Sequence, residues 1–368
     1  MSKEDCLYKK YRPNDFGDVV GQKHIVATLK KAAKNDKFVH SYLFAGNRGC
    51  GKTTCARIVA NLMNCDNPVD GKLCGKCLAC QTISNKMSMD VIEVDGATNR
   101  GIDAIRSLKD SANFFPAQLK NKVYIIDECH MLTPEAWNAL LGIVEEPPAY
   151  LKFIFCTTEP RKVIDTIASR CQRFDFRRIQ AKNIATRLRY IADSEKIEVE
   201  DEALLLIARI SRGILRDSIV KLEQIATVAD GKKVLEKHIQ SFYGATDRQG
   251  IKNIVKAIVE GNVALVMDQV NDLIMASADM RLIISEIAEM FRDIMVLKIP
   301  DVKSSLVDAS ESEIEDLKKM GESISLNQMY KIARLFSETE NQMEYHINER
   351  LIMEATLIYC ANAILKQK

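Results

Sequence analysis

Alternating strand and helix text over residues 1 to about 180, then helical text to the end, predicts an α/β domain followed by an all-α region. Two observations carry this. Four short apolar runs each end near a polar residue and lead into a loop or helix, as in a parallel sheet with helices on both faces. Beyond residue 180 no strand-like run remains, aromatics are only 6%, and Leu, Ile and Ala carry much of the apolar content.

The strands are expected at 41–46 (SYLFAG), 90–94 (DVIEV), 122–127 (KVYIID) and 152–158 (KFIFCTT). In such sheets sites form at the carboxyl ends of the strands, where Gly46, Asp127 and Thr157 lie. The helical part reads as amphipathic runs from Asn183, Asp201, Ile251 and Met280, with a long final run from Leu326 to Lys368. Gly244, Ala245 and Thr246 mark a boundary, and the acidic, serine-rich stretch 308–316 reads as an exposed connector and helix start. The domains are therefore expected at 1–180, 181–243 and 244–368.

The chain has 368 residues and a net charge of +2, so nucleic acid would have to be met by local patches or backbone amides. Neither an apolar signal core at the start nor a run of about 18 apolar residues occurs, which predicts a cytoplasmic protein with no membrane contact. Its eleven cysteines then remain reduced. Seven are scattered and read as small buried hydrophobes: Cys6, Cys50, Cys55, Cys129, Cys156, Cys171 and Cys360.

Gly46, Asn47, Arg48, Gly49, Cys50, Gly51, Lys52 and Thr53 fit the phosphate-loop pattern, with a strand before and a helical run, opening with Thr53 and Thr54, after. The glycines let backbone N–H groups wrap phosphates, and the helix N-terminus adds positive potential. Lys52 is expected to reach the β- and γ-phosphates of ATP, and Thr53 to bind Mg²⁺. The next-but-one strand ends in Asp127 and Glu128. Asp127 is placed to hold Mg²⁺, directly or through water, and Glu128 to activate the attacking water, because adjacent strand residues aim in different directions. The text Asp127, Glu128, Cys129, His130 also resembles DExH helicases, but no second sheet domain follows.

Three weaker signals stay open on pattern alone. Thr157 or Thr158 is placed to meet the γ-phosphate or the water. Arg170 and Arg216 are either surface ion-pair partners or cations for charge on phosphate, and Asp217 is the plain partner for Arg216. Thr98, Asn99 and Arg100, beside an expected helix start, are either a solvated loop or a contact to DNA phosphate. The cysteine group is clearer. Cys65, Cys74, Cys77 and Cys80 offer four thiolates, enough for a closed structural Zn²⁺ site in an insertion over 64–86.

In this order, YKKYRPNDFGDVVGQ, GNRGCGKTT, the cysteine cluster, IIDECHML, NALLGIVEEPP, CTTEP and IASRC resemble the gamma/tau ATPase family of bacterial DNA polymerase III clamp loaders. The likeness is close to about residue 245 and looser beyond. It implies an AAA+ module with a RecA-like sheet, a small helical lid and a helical collar that closes a pentameric ring. It implies that Arg170 is an arginine finger acting on a neighbouring subunit, Thr157 a first sensor and Arg216 a second. Arg12, Pro13, Val19 and Val20 would form the adenine pocket. Implied partners are delta- and delta-prime-type subunits, further copies of this chain, the sliding clamp and primer-template DNA. The family's longer form adds domains contacting helicase and polymerase core, which would lie past Lys368. The other readings weighed are a nucleotide-gated scaffold and a branch-migration motor.

Overall fold

The computed structural model describes residues 6–84, 88–244, 248–276, 278–300, 306–307, 311–345 and 348–365. Ala245 and Thr246, positions 85–86 of the expected insertion and residues 308–310 of the acidic stretch lie outside them. The chain forms two compact units. The first comprises Met1–Glu195 and Ser211–Gln224, the second Lys196–Ile210 and Ile225–Lys368.

The first unit runs α1 (Leu7–Lys10), α2 (Lys23–Lys34), β1 (Ser41–Gly46), α3 (Lys52–Asn64), α4 (Leu78–Ser84), β2 (Val91–Asp95), α5 (Ile102–Ala112), β3 (Lys122–Asp127), α6 (Pro134–Glu145), β4 (Leu151–Thr157), α7 (Asp165–Ala168), β5 (Gln172–Phe176) and α8 (Ala181–Glu195). All strand pairs are parallel, in the order β2-β3-β4-β1-β5. The four expected strands are present. β5 was not foreseen: its Gln-Arg-Phe-Asp-Phe text is half polar, because an edge strand buries only alternate residues. Phe174 and Phe176 turn inward while Gln172, Arg173 and Asp175 stay exposed.

Both faces of the sheet are covered, so the inner strands are apolar through their centres. Tyr42, Phe44, Ile125 and Ile154 pack on one face with Ile58 and Val59 of α3 and Leu29 of α2. Leu43, Tyr124, Phe153 and Phe155 pack on the other with Ile105 of α5 and Trp137 of α6. Asp95 lies opposite Asp127, Ala45 opposite Thr157 and Gly46 opposite Phe176. One edge of the sheet thus gathers the polar strand ends. Pro134 opens α6, and Thr133 caps it by accepting from the Ala136 N–H.

The second unit holds α9 (Asp201–Ile210), α11 (Glu236–Tyr243), α12 (Arg248–Glu260), α13 (Val263–Met275), α14 (Met280–Leu297), α15 (Glu311–Glu322), α16 (Leu326–Tyr345) and α17 (Glu349–Leu365). Between α9 and α11, α10 (Leu215–Ala229) starts in the first unit. Ile254, Phe291, Phe336 and Leu357 are fully buried in one core, with Phe291 and Phe336 stacked at 5.8 Å. The run expected from Ile251 breaks at Gly261, where Asn262 caps α13 by accepting from the Leu265 N–H. Among the described residues, no helix is long and apolar enough to cross a membrane.

Candidate active site

A cavity of about 470 Å³ opens at the carboxyl edge of the sheet, a size suited to a small-molecule ligand. Arg48 to Thr54 line it, with Asp127 and Glu128 from the end of β3. Arg12, Pro13, Val19 and Val20 supply one wall, and Leu215, Arg216 and Ile219 of α10 another. The expected residues among them are separated by up to about two hundred positions in the chain, and the fold brings them together.

Lys52, only 5% exposed, begins α3. Its Nζ donates to the carbonyls of Gly46 at 2.8 Å and Asn47 at 3.0 Å. A buried ammonium needs such partners, and phosphate oxygens can take their place. Thr53 Oγ1 donates to Asp127 Oδ2 at 2.8 Å. Burial raises the Asp127 carboxyl above its ordinary range, while the Thr53 hydrogen bond opposes that. A carboxylate and a hydroxyl paired beside a phosphate loop are a donor set suited to Mg²⁺.

Glu128 has φ 45°, a left-handed backbone that a residue with a side chain holds only under constraint. Its Oε2 accepts from Thr158 Oγ1 at 3.1 Å. Thr157 is fully buried, and its hydroxyl accepts from the Glu159 N–H at 3.0 Å and lies 3.1 Å from His130 Nδ1. Of the two threonines, therefore, Thr158 touches Glu128 directly.

At the cavity's positive corner, the Arg216 guanidinium lies 4.7 Å from the centre of the Tyr8 ring. Burial, and then the nearby Arg57, lower the Arg12 guanidinium from its ordinary value. Such crowding of cations favours an anionic occupant. Arg170 stands apart from this set. It lies just past α7, forms an ion pair with Glu145 at 2.6 Å and donates to the Thr166 carbonyl at 2.7 Å.

The expected DNA-facing loop is tied to Asp95. Thr98 Oγ1 donates to Asp95 Oδ2 at 2.8 Å, and the Asn99 amide donates to the Asp95 carbonyl at 3.1 Å. Arg100 is exposed, and its carbonyl accepts from the Thr133 N–H at 3.1 Å. Helix α5 starts two residues later, at Ile102. Sequence reasoning missed Tyr8, Asp95, Ile179, Leu215 and Ile219 as cavity residues. Asp95 was within reach, because it ends β2 as Asp127 ends β3. The others are apolar or aromatic positions whose role depends on packing.

The four cysteine sulfurs of the insertion all lie within 4.8 Å of one another. A tetrahedral zinc site with Zn–S of about 2.3 Å has sulfurs roughly 3.8 Å apart. Cys74 and Cys80 stand 3.9 Å apart, and Cys80 and Cys65 3.7 Å. Backbone N–H groups of Cys74, Cys77 and Cys80 each donate to a neighbouring cysteine sulfur at 3.4–3.5 Å. The Lys76 N–H, then that of Cys77, lower the Cys74 thiol to about 6, whereas burial raises Cys65 and Cys80. Thiolate geometry and N–H···S support together fit zinc. The insertion is anchored by Asp70 to Lys34 at 3.1 Å and Asp66 to Lys120 at 3.2 Å. Of the scattered cysteines, Cys50, Cys55, Cys129, Cys156 and Cys360 are buried as expected, but Cys6 and Cys171 are only half-buried.

Three family models match in succession. Residues 21–180 match the DNA polymerase III delta subunit, residues 183–231 the ATPase lid domain of the DNA polymerase III clamp loader subunit, and residues 234–367 domain III of DNA polymerase III subunits gamma and tau. The DNA polymerase III subunit tau of Bacillus subtilis is 38% identical over 355 residues, covering 96% of this chain and 62% of that one. The gamma/tau subunit of Mycobacterium tuberculosis is 36% identical over 364 residues, covering 98% and 62%. The chain thus spans about three-fifths of the length of these relatives. Among solved structures, the Thermotoga maritima RuvB Holliday junction branch migration motor has a TM-score of 0.50 at 21% identity, over 68% of this chain and 80% of that one. That likeness concerns the fold alone.

Proposed function

The chain belongs to the family of DNA polymerase III gamma and tau subunits, and from that premise we propose that it is the AAA+ ATPase motor subunit of the bacterial replicative clamp loader. ATP binding orders the ring so that it opens the sliding clamp; primed DNA then triggers hydrolysis and release, in service of DNA replication.

The observation that carries this reading is the intact hydrolytic set. Buried Lys52, the Thr53–Asp127 pair and Glu128 all line one cavity. Lys52 binds the β- and γ-phosphates, and the loop N–H groups from Arg48 to Thr54 cradle them. Thr53 and Asp127 would hold Mg²⁺, which when bound offsets charge on the phosphate oxygens. Glu128 takes the proton of the attacking water. Val19 and Val20 give the base an apolar wall, with Arg12 and Pro13 beside it. Arg216 reports the γ-phosphate from α10, and Thr157 with Thr158 does so from the end of β4.

Arg170 acts on ATP held by a neighbouring subunit. Its exposure and its absence from the lining of its own cavity support a role in trans. The ring partners are delta- and delta-prime-type subunits and further copies of this chain, in a pentamer. Primer-template DNA lies within it, met through the 98–100 loop and α5. Zinc at Cys65, Cys74, Cys77 and Cys80 is structural, since four protein ligands leave no open position. The functional divisions are 1–180, 181–243 as lid and 244–368 as collar.

The test is ATP turnover by the chain assembled with candidate partner subunits, with and without clamp and primed DNA. Stimulation by both is expected. In the same assembly Glu128→Gln should bind the clamp and fail to recycle, and Lys52→Ala should lose nucleotide. Undiminished nucleotide affinity in Lys52→Ala would sink the site assignment. Loading that persists in Glu128→Gln favours a nucleotide-gated scaffold. Translocation on duplex DNA without a clamp favours a branch-migration motor.

A further inference from the structure

His130 lies two residues beyond Glu128, in the short turn Cys129–Met131 that follows β3. Its side chain is only 8% exposed. It is placed between two strand ends. Nδ1 stands 3.1 Å from Thr157 Oγ1 and 3.5 Å from Glu128 Oε2. Nε2 faces Glu159 Oε1 at 3.5 Å. Glu159 is itself held by Lys162 at 2.9 Å, and its N–H binds Thr157 Oγ1. The imidazole therefore joins the turn after β3, which carries Glu128, to the turn after β4, which carries Thr157, Thr158 and Glu159.

Glu128 needs such a support. Its side chain is 31% exposed and turns about three bonds, so burial alone does not fix its aim. Thr158 supplies one hydrogen bond, to Oε2, and His130 Nδ1 faces the same oxygen. The backbone of Glu128 is also in the left-handed region, so its position depends on surroundings that hold it there.

We propose that His130 is a positioning residue: through Nδ1 it couples the aim of the Glu128 carboxylate to the turn after β4. It is not among the residues that line the cavity. Any displacement of Thr157–Glu159 on γ-phosphate binding or loss is thereby passed to Glu128. This inference rests on Glu128 being the residue that activates water.

The geometry dictates the variants. Asparagine places an amide nitrogen near the position of Nδ1, glutamine near that of Nε2, and phenylalanine fills the space with neither. The assay is ATP turnover by the fully assembled complex, with nucleotide affinity measured separately. Misplacing a reacting group by about 1 Å costs on the order of 100-fold. His130→Phe should therefore lower kcat about 10- to 100-fold and leave nucleotide affinity within about twofold of the parent. His130→Asn should restore kcat to within about threefold, and His130→Gln should not. Equal turnover by the Asn and Gln variants overturns the inference, even if His130→Phe fails to fold. So does a His130→Phe variant that loses nucleotide affinity in proportion to kcat. Glu128→Gln separates the two levels. If it turns over ATP like the parent, the assignment of Glu128 falls. If it is inactive while His130→Phe is fully active, only the role of His130 falls.

Discussion

Replacing Gly46 by alanine tests whether the phosphate loop is built as described. Gly46 has φ +149°, and a Cβ there would lie 2.5 Å from the Phe176 carbonyl oxygen and 2.8 Å from Phe176 Cβ. Neither atom can retreat easily, because Gly46 and Phe176 are paired in register between β1 and β5. A sparsely populated backbone costs about 1–3 kcal/mol and overpacking a similar amount, so about 3 kcal/mol is a conservative sum. In a unit of about 200 residues that lowers the unfolding midpoint by roughly 6–12 °C. Gly51→Ala isolates the backbone component. Gly51 has φ +104° and nothing within 4 Å of a built Cβ, so about 1–2 kcal/mol is expected. Gly142→Ala should go the other way. It lies in the exposed part of α6 with no neighbour within 4 Å, and alanine there should add up to about 1 kcal/mol. Thermal unfolding without nucleotide reads all three. A Gly46→Ala midpoint within about 2 °C of the parent, or a Gly51→Ala loss larger than that of Gly46→Ala, would refute the reasoning.

Two further outcomes are expected. Metal analysis of the purified chain should return one zinc per chain, and Cys77→Ser should lose it; zinc binding of this kind is worth on the order of 10 kcal/mol to local folding, so hydrogen exchange across 66–84 should quicken while nucleotide affinity holds. A metal-free parent with the same protection would overturn the zinc assignment. Arg170→Ala should leave nucleotide affinity and unfolding midpoint unchanged, because its ion pair with Glu145 is about two-fifths exposed on both sides and so contributes little. Turnover in the assembled ring should nevertheless fall about 1,000-fold or more, and an equal loss in the isolated chain would instead place Arg170 in cis.

Legibility followed the range of the interactions. The phosphate loop could be read because strand, glycine turn and helix are contiguous, and each residue's role follows from its own backbone. The cysteine cluster could be read because four ligands fall within sixteen residues. β5 escaped notice because an edge strand need not be apolar throughout. The placing of His130 between two turns escaped notice because it depends on Glu159, which lies on another strand's turn, 29 positions on. The same holds for Glu145, whose carboxylate meets Arg170.

By itself, the sequence determined the fold class, the glycine-rich loop between β1 and α3, the carboxylates Asp127 and Glu128 at the end of β3 and the four-cysteine cluster, since local backbone demands and residue spacing are written into adjacent residues. Only the tertiary structure decided which groups meet. The order β2-β3-β4-β1-β5 sets the Thr53 hydroxyl against Asp127 and Thr158 against Glu128, while the meeting of α1 with α10 sets Tyr8 against Arg216. Those pairings are long-range choices of packing, because a polar group drawn away from water takes its partner from whichever element the fold brings beside it.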